Sequence, residues 1–281
     1  MGEPSILPSA APAPPPRAPG KPRTFACPNC GGSVTLRAAG QSISATCSQC
    51  SSLIDVADEN LRIIEAAQSA MQDAEIPIGA RARLGDIEWE VVGFMRRSDG
   101  PGDFQWTEYL LFNPYQGYRF LVEEYDHWTL VKMLNRDVPG AGDKGWVTAM
   151  GRTYQFFGKG MARTTYVAGE FFWRASTSDV TAAIDYIAPP YRLMVEMTNE
   201  EIIVSEGEYL DASLVADAFA RDRGPVPANA PEAYCVAKVN GLGCVPAVSF
   251  SGLPSASGIS TFTIAAEEAV RFVQYECRGA A

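Results

Sequence analysis

The sequence is poor in histidine, in basic residues and in long apolar runs. His127 is the only histidine among 281 residues, so any catalytic scheme that needs a histidine base is restricted to one position. Lys and Arg number 23 against 33 Asp and Glu, and the formal net charge of −10 disfavours polyanionic partners such as nucleic acid. No apolar run approaches the roughly 18 residues of a spanning helix, so we expect no transmembrane segment.

Both ends of the chain lack a periodic apolar pattern. Residues 1–24 are rich in Pro and Ala and predict a disordered arm. Residues 223–281 are rich in Ala, Gly and Ser and contain three of the seven cysteines, an odd number that cannot all pair. We interpret this segment as a divergent tail, a fusion or a frameshift product, and we expect the rest of the chain to fold without it.

The other four cysteines form two closely spaced pairs. They are Cys27, Cys30, Cys47 and Cys50, which gives C-x2-C, sixteen intervening residues and C-x2-C again. This spacing is typical of a zinc ribbon, because a two-residue separation lets one turn direct both thiolates at a single ion. We therefore predict a structural zinc ribbon over residues 25–57. Four thiolates leave no open position for water, which argues against catalysis at this metal.

Two other interpretations of the ribbon are less favoured. Nucleic-acid binding needs basic and aromatic side chains, yet between Thr24 and Val56 the only basic residue is Arg37 and the only aromatic is Phe25. Disulfide bonding suits secreted chains, and we see no cleavable apolar signal segment here. The ribbon is thus expected to stabilise the chain or to carry a partner.

Residues 58–222 predict an antiparallel β domain. Short aromatic-rich runs such as "IEWEVVGFM", "WTEYLLF", "YRFLVEE" and "HWTLV" are separated by turn residues. We also predict a short helix from about Asn60 to Met71 and another over "DASLVADAF", with Asp211 as its N-cap. "GAGDKG" at 140–145 is expected to be a linker and "GKG" at 158–160 a turn, since neither has the context of a phosphate-binding loop.

An internal repeat is visible in this domain. "YRFLVEEYDHWTLV" begins at Tyr118 and "YRLMVEMTNEEIIV" begins at Tyr191, with a constant offset of 73. Upstream, "EWEVVG" is echoed by "TYQFFG" and "TEYLLF" by "GEFFWR". We predict a mainly β protein in which the zinc ribbon precedes an internally duplicated antiparallel β-meander, with repeats at about 80–134 and 152–210. Chance similarity between amphipathic strands is the alternative.

This alignment predicts a candidate ligand cleft. It gives Glu108 and Glu170 equivalent places, where their carboxylates could converge for acid–base chemistry or for binding a small cation. The other candidate cleft residues are aromatic, namely Trp106, His127, Trp128 and Trp173. Two alternatives stay open, that the carboxylates have separate partners such as Arg119 and Arg192, and that His127 is a hydrogen-bonded structural residue.

The order of these motifs resembles the bacterial domain of unknown function 4178 family over about residues 25–220. The resemblance implies no established activity. Genes of this family tend to lie near genes for polyamine synthesis and for membrane-stress proteins, which implies a bacterial envelope-maintenance setting. The positions that match the family's signature are Trp89, Trp106, Glu108, His127, Trp128, Gly169, Glu170, Trp173, Pro189 and Pro190. Related chains often carry membrane-spanning segments, which we do not find here.

The sequence as a whole favours a non-enzymatic binding or adaptor module with structural zinc. Its partner would be a protein or a small cationic ligand, and we expect it to be cytoplasmic or peripheral to the inner membrane. The first alternative is a hydrolase or transferase that uses Glu108, Glu170 and His127. A nucleic-acid-binding zinc-ribbon protein is the less favoured second alternative.

Overall fold

The computed structural model describes residues 23–66, 72–99, 104–125, 127–134, 138, 145–198 and 201–220. These residues form fifteen strands and one helix, and every strand pairing is antiparallel, which confirms the prediction of a mainly β protein. The predicted arm up to residue 22, the tail from residue 221 and most of the 140–145 linker lie outside the described residues. Among the residues described, no helix has the length and apolarity needed to cross a bilayer.

The ribbon region begins the fold with five short strands. β1 and β2 form a separate two-stranded sheet, while β3, β4 and β5 pair in order at one edge of the large sheet. Their bounds are Arg23–Ala26, Ser33–Leu36, Ser44–Thr46, Leu53–Asp55 and Ile63–Glu65. The helix predicted over residues 60–71 is therefore wrong for its described part. The β-branched Ile63 and Ile64 lie in β5, and Leu61 before them has a φ of 54°, which is not helical.

Ten further strands form the main body of the protein. Their bounds are Arg81–Leu84 (β6), Ile87–Ser98 (β7), Gln105–Asn113 (β8), Gly117–Glu124 (β9), His127–Leu134 (β10), Trp146–Ala149 (β11), Arg152–Phe171 (β12), Val180–Ala188 (β13), Tyr191–Met197 (β14) and Ile202–Leu210 (β15). Eight of them form a closed ring in the order β7, β8, β9, β10, β15, β14, β13 and β12, because β12 also pairs with β7. β6 pairs with β7, and β11 pairs with β12, both in antiparallel fashion.

The long strand β12 corrects two sequence predictions. "GKG" at 158–160 is not a turn, since Gly158, Lys159 and Gly160 pair with β13 after a bulge. "TYQFFG" and the start of "GEFFWR" consequently lie on this one strand, whereas "EWEVVG" and "TEYLLF" lie on the two strands β7 and β8. Glu108 and Glu170 are therefore not in equivalent positions.

Two runs of five strands nevertheless have the same connectivity. β6 to β10 and β11 to β15 each proceed as a short strand, a long strand and three further strands paired in sequence. β10 and β15 lie side by side and antiparallel, as an approximate twofold axis between the two runs would require. In this arrangement "EWEVVG" corresponds to "TYQFFG", and the strand that corresponds to β8 is β13. The duplication itself stays a prediction.

The two faces of the ring differ in chemistry. Residues directly opposite one another on neighbouring strands share a face. The outward face is apolar where the helix α1, Ala212–Ala218, covers it and Val215 packs with Trp89 and Trp128. Asp211 caps α1 by accepting a hydrogen bond from the Ser213 backbone N–H, as predicted. The inward face is apolar near the ribbon, where Leu53 packs on Phe112, and carries charged side chains further along.

Ring closure requires close approach of two backbones at Gly93 and Gly169. The two residues lie opposite each other where β7 pairs with β12, and Gly169 has a φ of 87°. A Cβ at Gly169 would lie 2.6 Å from the Gly93 Cα and would overlap the Val92 carbonyl oxygen. Both glycines are therefore needed for geometric reasons.

We predict that Gly169→Ala lowers the free energy of unfolding by about 2–4 kcal/mol, because it adds both backbone strain and a steric clash. Chemical denaturation followed by tryptophan fluorescence measures this. Gly160→Ala on the same strand is the matched control, since no described atom lies within 4 Å of its added Cβ. Equal stability of the two variants would show that the close approach does not limit the fold.

Candidate functional site: a four-cysteine centre and a charged ring interior

Two similar turns present the four predicted cysteines. In the first, the Cys27 N–H donates to Gly32 O at 2.7 Å and Gly31 N–H donates to Cys27 O at 2.8 Å. The second repeats this pattern, with hydrogen bonds of 2.9 Å from Cys47 N to Ser52 O and from Ser51 N to Cys47 O. Gly31 and Ser51 both have positive φ, at 78° and 58°, so each turn curls back and points its two sulfurs to the same side.

The four sulfurs have the geometry of a tetrahedral metal centre. The Sγ atoms of Cys27 and Cys50 are 3.7 Å apart, as are those of Cys30 and Cys47. All four sulfurs lie within 4.8 Å of one another. A tetrahedron with metal–sulfur bonds of about 2.3 Å has sulfur–sulfur edges of about 3.8 Å. The donor set therefore fits one metal ion with four thiolate ligands.

Glu170 joins the ribbon to the ring. Its carboxylate accepts hydrogen bonds from the backbone N–H groups of Arg37 at 2.5 Å and Ala38 at 3.0 Å, and from Ser42 Oγ at 2.7 Å. Burial raises the pKa of Glu170, while these three donors favour its ionised form. The backbone of Glu170 and Phe171 also pairs with Ala45 and Ser44 of β3. Glu170 is thus a structural residue at the junction, which corrects its predicted place in a cleft with Glu108.

A second junction contact lies at Asp55 in β4. Asp55 is 1% exposed and its Oδ2 lies 2.7 Å from Arg174 Nε, just beyond the end of β12. Although burial raises the pKa of Asp55, the pair with Arg174 lowers it overall. The ribbon is therefore connected to the ring by backbone pairing and by two buried carboxylates.

Inside the ring, Arg97 of β7 is shared by two carboxylates. Its Nη1 lies 3.3 Å from Glu108 Oε1 on β8 and 2.7 Å from Glu196 Oε1 on β14, across the interior. Its Nη2 donates to Thr181 Oγ1 at 2.5 Å. Trp106 donates its indole N–H to Glu108 Oε1 at 2.7 Å. One guanidinium therefore compensates two negative charges in a partly desolvated space.

Arg192 of β14 repeats this arrangement with two other carboxylates. Its Nη1 lies 3.0 Å from Glu124 Oε2 on β9, and its Nε lies 3.2 Å from Asp185 Oδ1 on β13. The contact with Glu124 also crosses the interior. The ring interior thus holds two arginines and four carboxylates, which leaves a formal surplus of two negative charges in this group. We call these six residues the interior charge cluster.

The surplus affects protonation of the cluster. Burial raises the pKa of Glu108, and the charge of Glu196 adds to this against the opposing effect of Arg97. Burial also raises the pKa of Asp185, with Arg192 opposing and Glu124 and Glu196 contributing. These two carboxyl groups therefore bind protons more readily than ordinary surface carboxylates.

The structure brings together only part of the predicted cleft. Trp106 and Glu108 are in contact, and His127 lies on the same inward face, with its Nδ1 3.3 Å from Tyr209 Oη. Trp128 points outward and stacks on Tyr109 with ring centroids 6.0 Å apart. Trp173 packs at the ribbon junction against Phe171, with centroids 4.9 Å apart.

Five members of the interior charge cluster are absent from the predicted cleft. They are Arg97, Glu124, Asp185, Arg192 and Glu196. Of these, Arg192 is predicted only as an alternative partner for Glu108 or Glu170, whereas it pairs with Glu124 and Asp185. The alternation of charged and apolar residues in "YRLMVEM" was the available signal, since it places Arg192 and Glu196 on one face of β14.

Residues 77–212 match a family model described as Domain of unknown function (DUF4178). The match runs from just before β6 to the first residue of α1, so it covers the ring and leaves the ribbon outside. This supports the resemblance over a shorter span than the 25–220 that we expected. No curated protein and no solved structure matches the chain.

We predict that a Cys27→Ser, Cys30→Ser double variant loses its metal and unfolds at a lower temperature. Without the metal the ribbon loop is less ordered, and the buried carboxylate of Glu170 loses donors that it needs. Plasma mass spectrometry and thermal denaturation measure the two effects. The control replaces Cys235, Cys244 and Cys277 with Ser and should retain one metal ion per chain. Full metal content in the double variant, or its loss in the control, would contradict the assignment.

Proposed function

We propose that the protein is a non-enzymatic binding module whose ring interior binds a small polycation of the polyamine class. The observation that carries this proposal is the interior charge cluster, in which two arginines face four carboxylates. Unbalanced charge in a desolvated site costs folding free energy, so its presence indicates a role other than stability. A ligand with at least two separated positive charges would neutralise the surplus.

Two carboxylates of the cluster are partly exposed. Glu196 and Asp185 retain 27% and 21% of their side-chain exposure, whereas Arg97 retains 7%. The two carboxylates can therefore receive a cation from solvent while the guanidinium that orients Glu196 stays in place. Hydrogen bonds between an ammonium group and a carboxylate are among the stronger ones in proteins.

Aromatic rings lie beside the same carboxylates. Trp106 hydrogen-bonds Glu108 and is 5.4 Å from Phe104 between ring centroids, and Phe104 is 5.3 Å from Tyr125. Tyr125 is 60% exposed, so this aromatic group extends to the surface. Aromatic faces attract ammonium groups and tolerate the methylene segments between them, which suits a linear polyamine.

We further propose that the metal is zinc and that its role is structural. Four thiolates in a tetrahedral arrangement are the preferred zinc donor set in proteins, and they leave no position for substrate. Cys27, Cys30, Cys47 and Cys50 would hold the ion. When bound, it would fix the ribbon against the ring.

The alternatives receive less support. A hydrolase or transferase built on Glu108, Glu170 and His127 would need the three side chains at one site, whereas Glu170 is occupied by donors from the ribbon. Nucleic-acid binding through the ribbon would use Arg37, which pairs with Glu90 at 2.9 Å. An adaptor role towards a protein partner is compatible with cation binding, because a cation in the ring interior does not use the outer surfaces of the ribbon and the ring.

We predict saturable binding of spermidine to the intact zinc-loaded protein by calorimetry at physiological ionic strength. The variant Glu196→Gln, Asp185→Asn should bind at least about tenfold more weakly. It removes the surplus charge but leaves Arg97 with Glu108 and Arg192 with Glu124, so the fold is retained. Screening of exposed charges over about 8 Å suppresses non-specific attraction under these conditions.

The matched control for this experiment is Glu208→Gln. Glu208 is exposed on β15, and its substitution removes one negative charge outside the ring interior, where the double variant removes two inside it. This control should bind spermidine with unchanged affinity. Absence of binding heat in the wild-type protein, or equal weakening by Glu208→Gln, would refute the proposal.

Binding should also depend on pH in a specific direction. The ligand binds ionised carboxylates, and the pKa values of Glu108 and Asp185 are raised by burial, so protons compete with the ligand at a higher pH than for ordinary carboxylates. Affinity should therefore fall as the pH is lowered from 7 towards 5, by up to about tenfold per pH unit for each proton displaced. Amines with a pKa near 10 keep their charge over this range. A flat profile between pH 7 and 5 would contradict this assignment.

A further inference from the structure

A separate pocket lies at the seam between the ribbon and the ring. Its volume is about 320 Å³, which is at the small end of the range for ligand-binding pockets. The ribbon contributes Arg37 and Ala38, and the ring contributes Arg81, Trp89, Glu90 and Tyr115. The pocket shares no residue with the interior charge cluster, so its ligand is a separate question from the proposed function.

The pocket wall carries two arginines and two glutamates. Glu90 is shared by two arginines, with Oε1 2.9 Å from Arg37 Nη1 and Oε2 2.8 Å from Arg81 Nη2. Glu88, which also lies in the wall, is directly opposite Arg83 in the pairing of β6 with β7. Arg37 and Arg81 are therefore held around one carboxylate, that of Glu90.

Both arginines have donors to spare for a ligand. Their side chains are 42% and 64% exposed, and a guanidinium carries five N–H groups, of which contact with Glu90 uses only a part. Their planar groups are suited to carboxylate and phosphate oxygens. Arg37 and Arg81 thus offer N–H donors to an acidic group at the pocket wall.

The remaining wall is apolar and aromatic. Tyr115 is 71% exposed although its neighbours Phe112 and Pro114 form the pocket beside it. The turn is held in place because Asn113 Oδ1 accepts the Tyr115 N–H at 2.8 Å and its Nδ2 donates to Glu88 O at 2.9 Å. An exposed ring on a fixed turn next to guanidinium groups is suited to stacking with a flat apolar group.

We propose that this seam pocket binds a small aromatic anion, with its acidic group at Arg37 and Arg81 and its ring against Tyr115. The two arginines supply the charge that the anion requires. The aromatic turn supplies the contact that distinguishes such a ligand from a simple inorganic anion.

Phenyl phosphate is a suitable probe, titrated into the zinc-loaded full chain and followed by calorimetry and by ligand-observed NMR. We expect saturable binding of phenyl phosphate. Inorganic phosphate lacks the aromatic ring and phenol lacks the acidic group, so each should bind at least about tenfold more weakly. Arg81→Gln and Tyr115→Ala should each weaken phenyl phosphate binding at least about fivefold. Both side chains are largely exposed, so both variants should keep the wild-type thermal transition.

Arg163→Gln is the matched control, because it removes the same charge from an exposed position on β12 outside the pocket wall. It should bind phenyl phosphate as the wild type does. The proposal is overturned if phenyl phosphate shows no saturable binding, if inorganic phosphate binds equally well, or if Arg163→Gln weakens binding as much as Arg81→Gln. Spermidine binding should be unchanged by Arg81→Gln, which separates a failure at this pocket from a failure at the ring interior.

Discussion

Pairing of β12 with β7 is the interaction on which the architecture depends. It converts a row of antiparallel strands into a closed ring, and it is possible only because Gly93 and Gly169 let the two backbones approach. Closure turns one face of all eight strands inward. Polar side chains on that face must then find partners across the interior, and this is why Arg97 on β7 reaches Glu196 on β14.

The same strand also makes the ribbon part of the ring. After its pairing with β7, β12 continues to Glu170 and Phe171, which pair with β3. Glu170 then receives donors from the Arg37–Ser42 loop, whose far end leads to β3 and Cys47. The four-cysteine turns are thereby connected to the ring end, where Leu53 of the ribbon and Phe112 of the ring belong to one buried cluster.

Features that depend on residues close together in the chain were predictable from the sequence. The cysteine spacing identified all members of the four-sulfur centre, Asp211 identified the start of α1, and aromatic runs identified most strands. Interactions between distant positions were not predictable in this way. Arg97 and Glu196 are 99 residues apart, and nothing near either residue indicates the other. The glycines at 158 and 160 resembled a turn because the sequence does not reveal that both edges of β12 are paired with other strands.

Closure of the ring produces an interior with surplus negative charge, and we propose that a cationic ligand neutralises it. An NMR titration of the Glu and Asp side-chain carboxyl carbons, with and without spermidine, tests this directly. We expect Glu108 and Asp185 to titrate above the ordinary range of their residue types in the free protein, and spermidine to shift both pKa values downwards. Ordinary pKa values in the free protein, or values that spermidine does not change, would contradict it.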